Sequence, residues 1–186
     1  MESFRLAELN DLSSLISLYS KCKQTLLYNM IFQWGDWYDN YPNEIYLENA
    51  IVQHELFVLV FEIQIIGSVI LNENQSSEWK SLNWLGFSKQ PLVIHALVID
   101  PDHQSKGFGK KLLNHCEGFA KNRNYSSIRL DSFSKNPVSN KLYQNYGYIQ
   151  IGTVTFDKKP VGNQEYICYE KILNLAAKTS YNESVE

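Results

Sequence analysis

One segment narrows the choice of fold more than any other. The apolar run Leu92 to Ile99 (LVIHALVI) leads into DPDHQSKGFGKK, and then into an amphipathic pattern at Leu112, Leu113, Cys116 and Phe119 or Ala120. A continuous apolar run of this length predicts a strand at the middle of a sheet, covered on both faces. Apolar residues spaced three and four apart predict a helix from about Gly107 to Lys121. A strand that passes through a glycine turn into a helix leaves backbone N–H groups unpaired at the helix head. Those donors and the helix dipole favour an anion, and glycines let it approach the backbone without a Cβ in the way. Lys106 and Lys110 add positive charge there. A lone Gly-x-Gly is equally at home in an ordinary tight turn.

The rest of the chain surrounds this unit with alternating elements. Ser3 to Leu6 is a short strand, and Asn10 is the expected N-cap of a helix carrying Leu12, Leu15, Ile16 and Tyr19 on one stripe. The aromatic loop IFQWGDWYDNYPN follows, with Pro42 near the start of a second helix. ELFVLVFE and IIGSVILNE read as paired strands because β-branched and aromatic residues dominate them. Asn72 to Gln90 is a long polar insertion holding Trp79, Trp84 and Phe87, either a functional loop or a variable excursion. SSIRLDSF is a strand, PVSNKLYQNYG a short helix opened by Pro137 and closed by Gly147, and YIQIGTVTF and EYICYEKI are the last two strands. The expected organisation is one domain over residues 1–173, a mixed sheet with helices on both faces, and a polar tail over 174–186.

Composition closes off several functions. A net charge of −3 argues against a general nucleic-acid binder, which needs a broad basic surface. LFVLVF is far too short to cross a bilayer, so no membrane partner is expected. No basic-then-apolar leader follows Met1, and Cys22, Cys116 and Cys168 are odd in number and widely spaced. Reduced cysteines in a cytoplasmic protein are expected. His103, His115 and Cys116 do not make a metal site, because adjacent helical residues point in different directions. The dinucleotide fingerprint lacks its third glycine, and the P-loop fails because Lys111 stands where Ser or Thr belongs.

Two motifs together are more specific. Gln104-Ser105-Lys106-Gly107-Phe108-Gly109 is followed downstream by Asn136, Tyr143 and Gly147-Tyr148. Over about Phe4 to Lys171, the chain resembles the GNAT superfamily of acyl-CoA-dependent N-acetyltransferases. That resemblance implies an α+β fold: a mixed, mostly antiparallel sheet of about seven strands, helices on both faces, and strands four and five splayed apart. It implies acetyl-CoA as co-substrate and no metal. Leu97, Val98 and Ile99 would contact the pantetheine arm through main chain, and Gln104, Ser105, Lys106, Gly107, Phe108, Gly109 and Lys110 would wrap the pyrophosphate. Asn136 would bond the cofactor arm, or simply serve as a turn residue before Pro137.

Tyr143 matches the family's general acid, since a phenol within reach can protonate an expelled thiolate; packing under the glycine-ended helix is the other reading. The base is open between His95 and Asp131, each resembling the base of a different branch. His95 could instead be a satisfied core residue, and Asp131 a cap or lysine partner. Trp34, Trp37, Tyr38 and Tyr41 form the expected acceptor wall, where tryptophan faces offer cation–π contact; a clamp over the sheet edge is the alternative. The expected activity is acetyl transfer from acetyl-CoA to a primary amine, on a small molecule or a peptide, by direct attack in a ternary complex. A catalytically silent acetyl-CoA sensor is the alternative. Homodimers are common in the family, and nothing in the sequence locates an interface.

Overall fold

The computed structural model describes residues 2–34, 41–86 and 91–173. Its elements are β1 (Glu2–Leu6), α1 (Leu12–Tyr28), α2 (Glu44–Val52), β2 (Leu56–Phe61), β3 (Gln64–Asn72), β4 (Leu92–Ile99), α3 (Phe108–Asn122), β5 (Ser127–Phe133), α4 (Pro137–Asn145), β6 (Ile149–Thr155) and β7 (Glu165–Ile172). The strands form one sheet in the order β1-β2-β3-β4-β5-β7-β6. Every neighbouring pair is antiparallel except β4–β5, whose parallel pairing is made possible by the α3 crossover. The expected α+β class and helices on both faces are what the structure has.

Strand alternation sends side chains to two separate cores. Leu56 and Val58 join the helical stripe Leu15, Leu18, Tyr19 and Cys22, whose spacing puts all four on one face of α1. Phe57 and Leu59 face the other way, onto Leu112, Leu113, Cys116 and Ala120 of α3. A third cluster beneath the 72–86 segment gathers Trp79, Val93, Phe133 and Tyr166.

Helix starts differ in detail from the sequence expectation. Asn10 lies inside a 3-10 turn, Leu9–Asp11, and α1 begins only at Leu12. That turn is tied down by Asp11, which accepts from the Glu8 N–H at 2.8 Å and from Nη1 and Nη2 of Arg5. The capping of α2 belongs to Asn43, whose side chain accepts from the Tyr46 N–H, with Pro42 one residue earlier. Asn136 caps α4 by accepting from the Ser139 N–H, Pro137 follows it, and Gly147 leaves the helix at φ +86°. The polar insertion folds about one 3-10 turn, Ser77–Ser81, that buries Trp79.

The middle of β4 departs from a regular strand. Ser68 pairs with Val98 and Ile70 with His95, so Val69 faces both Ala96 and Leu97. This is a β-bulge, and Ala96 takes a positive φ of +49° that costs an L-residue about 1 kcal/mol. The Tyr19 hydroxyl donates to the Ala96 carbonyl at 2.7 Å and holds it turned toward α1. On the other edge, β5 meets β4 only at Leu92–Ile128 and Val93–Arg129. The two strands diverge from there, and residues 94–99 carry no β5 pairing. Strand splay and bulge thus fall on the same residues.

Candidate active site

The divergence of β4 and β5 opens a cavity of about 600 Å³. Ile94, His95, Ala96 and Leu97 line it from β4, Asp131 and Phe133 from β5, and Tyr143 and Ser139 from α4. Trp34 and Tyr41 close one side. The three candidate catalytic residues, two candidate acceptor-wall residues and Leu97 therefore share one space. Trp37 and Tyr38, with the acids Asp36 and Asp39, lie outside the described residues.

Asp131 shares the lining of this space with Glu78, Lys158 and Lys159. Asp131 is partly buried, and desolvation pushes its pKa up to about 6. The Lys159 ammonium and the Trp79 indole N–H pull it down, while Glu78 adds to the rise. The Trp79 N–H is near enough to act on Asp131, yet it falls outside hydrogen-bond geometry from every acceptor among the described residues. Tyr143 is 6% exposed, and burial, then the Asp131 charge, hold its phenol protonated far above neutral pH. Its hydroxyl makes no hydrogen bond among the described residues, and its ring sits 5.9 Å from those of Tyr148 and Tyr169.

His95 is in a different state. Asn72 donates its amide N–H to Glu55 at 2.8 Å, which leaves its Oδ1 to face His95 Nε2 at 2.9 Å. A carboxylate can only accept, so this chain assigns the Nε2–H tautomer to a neutral imidazole. Burial lowers the His95 pKa to about 4, partly opposed by the Asn74 backbone.

The glycine turn lies beyond the end of β4, outside the cavity lining. Gly107 is the N-cap of α3 at φ +84°, and a Cβ there would meet nothing within 4 Å. No side chain caps the helix, and Lys111 is the first residue of α3 whose N–H finds a carbonyl, that of Gly107. Among the described residues, the N–H groups of residues 106–110 meet no acceptor. Ser105 also has a positive φ of +60°, which turns the loop toward the helix head. Gln104 is bonded back to the Ile99 carbonyl at 3.0 Å, and Lys106 to the Asp102 carbonyl at 2.8 Å. Val98 and Ile99 are buried. Asn136 gives its side-chain oxygen to the α4 cap and its N–H to Gln33 Oε1 at 2.7 Å.

A family model described as the GNAT acetyltransferase family matches residues 13–148. The chain belongs to the GNAT acetyltransferase family. A comparison with curated protein sequences gives no match. Among solved structures, a GNAT acetyltransferase of Streptococcus agalactiae superposes with a TM-score of 0.81 at 19% identity, over 93% of this chain and 96% of that one. The ribosomal-protein-S18-alanine N-acetyltransferase of Escherichia coli gives 0.66 at 16% identity, over 97% and 99%. The protein yncA of Salmonella typhimurium, solved with its cofactor acetyl-CoA, gives 0.65 at 17%, over 95% and 96%. At these identities the likeness is one of fold.

Several lining residues of this GNAT protein escape sequence reading. Gln75, Ser76, Glu78 and Trp79 arrive from the 72–86 segment, and Lys158, Lys159 and Tyr166 from the β6–β7 turn and β7. The visible hints are the tryptophans in the insertion and the paired lysines. Neither hint states which side of the sheet its segment covers. Among the described residues, no cluster of His, Cys, Asp and Glu is arranged to hold a metal ion, and no helix is long and apolar enough to cross a membrane.

Proposed function

We propose that this protein transfers the acetyl group of acetyl-CoA to a primary amine by direct attack within a ternary complex. The observation that carries the reading is the meeting of Asp131, Tyr143 and Leu97 in one cavity at the β4–β5 splay, beside a helix head with unspent amides. Bound there, acetyl-CoA would supply an acetyl thioester.

The amides of residues 106–110 and the Lys110 charge would hold its diphosphate, and the unpaired edge of Leu97 to Ile99 its pantetheine arm. A main-chain N–H on that edge would also hold the thioester carbonyl. Asn136 would add a contact from the α4 cap. Asp131, ionised above about pH 6, is the better placed of the two bases to take the amine proton, because His95 ionises only near pH 4. Tyr143, protonated throughout the physiological range, is the acid that returns a proton to the leaving sulfur. The burial that raises the tyrosine also raises the basicity of a thiolate formed beside it, so the transfer is less uphill than in water.

A covalent route through cysteine is disfavoured. Cys22, Cys116 and Cys168 are free and buried, and burial raises each thiol well above neutrality. Free buried thiols also suit a reducing compartment such as the cytoplasm. Trp34 and Tyr41 would wall the acceptor.

The test is an amine panel read by release of the CoA thiol, with Asp131→Asn and Tyr143→Phe as controls. Turnover that both variants suppress supports the reading. Tight acetyl-CoA binding with no thiol release from any amine overturns it in favour of a sensor.

A further inference from the structure

Trp79, on the 72–86 segment, lines the same cavity as Asp131, and a continuous chain of contacts fixes it there. The chain begins with an ion pair inside the sheet: Arg129 on β5 and Glu170 on β7, which are 5% and 0% exposed. Arg129 Nε donates to Glu170 Oε1 at 2.8 Å, and its other two nitrogens reach Gln75 Oε1 at 2.7 Å and the Gly86 carbonyl at 3.1 Å. The second carboxylate oxygen of Glu170 accepts from the N–H groups of Leu85 at 2.5 Å and Gly86 at 3.0 Å. Both ends of the segment are therefore tied to one buried pair. The Trp84 ring lies 4.3 Å from the Arg129 guanidinium carbon, and its indole N–H donates to the Trp79 carbonyl at 3.2 Å. The two tryptophan rings pack at 5.2 Å. Trp79 then ends 3% exposed in the cavity wall, with an indole N–H that no hydrogen bond uses among the described residues.

A buried donor without a partner is costly to the fold, and one in the wall of the cavity that Asp131 also lines needs an explanation. We infer that Trp79 is a positioning residue for Asp131, its indole N–H held toward the carboxylate by Trp84 and the Arg129–Glu170 pair. The inference rests on the reading of Asp131 as the base. The other charged and titratable groups acting around Asp131 are Glu78 from the 3-10 turn, Lys159 from the β6–β7 turn, Tyr143 from α4, Tyr166 and Cys168 from β7, and Tyr41. His95 from β4 and Lys158 from the β6–β7 turn also line the cavity. Tyrosines and thiols of raised pKa stay neutral while Asp131 titrates, so Lys159 and Glu78 supply the background field that a Trp79 variant leaves in place.

Trp79→Phe keeps an aromatic side chain, smaller than indole, and removes the N–H. The Asp131 pKa is read directly by carbon NMR of carboxyl-labelled aspartate, with Asp131→Asn identifying the signal, and then through the pH profile of kcat/KM. Loss of a donor to a carboxylate raises its pKa, so the expected result is an upward move of about one pH unit in both. Acetyl-CoA affinity should stay unchanged. Trp84→Phe, which frees the Trp79 carbonyl but keeps its N–H, should move both in the same direction by less. An unmoved Asp131 signal in Trp79→Phe overturns the inference, and so does a moved signal with an unmoved activity limb. If the wild-type protein transfers acetyl to no amine, the base assignment falls with the proposed function, and the NMR titration still decides whether Trp79 and Asp131 are paired.

Discussion

Replacing Tyr143 with Phe separates chemistry from packing in this fold. The hydroxyl has no hydrogen-bond partner among the described residues, so deleting it breaks no internal bond. The ring contacts with Tyr148 and Tyr169, both at 5.9 Å, are kept. Stability should therefore change by less than about 0.5 kcal/mol, or about 2 °C in Tm. The lost proton donor should lower kcat about 100- to 1,000-fold, equivalent to about 2.7–4 kcal/mol of barrier. Affinity for acetyl-CoA should stay within about twofold, because the diphosphate contacts assigned to residues 106–110 are untouched. The assay follows thiol release at saturating acetyl-CoA beside a thermal melt and a direct binding isotherm for acetyl-CoA. Unchanged turnover would refute the acid role. A large fall in Tm would show that the hydroxyl has a structural partner, and the kinetic loss could then no longer be assigned to proton transfer.

Other outcomes follow from the same geometry. The acid limb of kcat/KM should fall near pH 6 if Asp131 is the base and near pH 4 if His95 is, and Asp131→Asn should remove the former. The same variant should raise Tm at pH 7: a carboxyl at about 6 when folded and 3.8 ordinarily binds more protons in the folded state, so its destabilising effect grows as pH rises from about 4 to 6. The gain is up to about 3 kcal/mol, and it should vanish near pH 4 in melts of the two proteins. Gly107→Ala meets no atom, so it should cost only about 1 kcal/mol of left-handed strain, while weakening acetyl-CoA binding measured by calorimetry. Gly67→Ala, whose Cβ would lie 2.8 Å from Ile99 Cδ1 and 3.2 Å from the Val98 carbonyl, should lose about 1–3 kcal/mol in a denaturant titration. Arg129→Met leaves the Glu170 carboxylate buried without its counter-ion, and a fall in Tm on the order of 10 °C is expected.

The sequence by itself determined the parts of this protein that are local. The strand, turn and helix around Gly107, the short helix opened by Pro137 and closed by Gly147, and the helical stripes of α1 and α3 follow from spacing and backbone preference within a few residues. Tyr143 and Asp131 are grouped as candidates only by the resemblance to the GNAT superfamily, not by spacing. What only the tertiary structure decided is the other half of the cavity and the electrostatics within it. The bulge at Ala96 arises from its mismatch with Val69 on a neighbouring strand, and the path of the 72–86 segment from a buried pair joining Arg129 to Glu170, which lie 41 residues apart. Asp131 and His95 are both candidate bases in one dimension. Their pKa values diverge in three, to about 6 and about 4, because desolvation penalises a charge of either sign and so raises an acid while it lowers a base. Burial is a property of the assembled fold, and no window of sequence contains it.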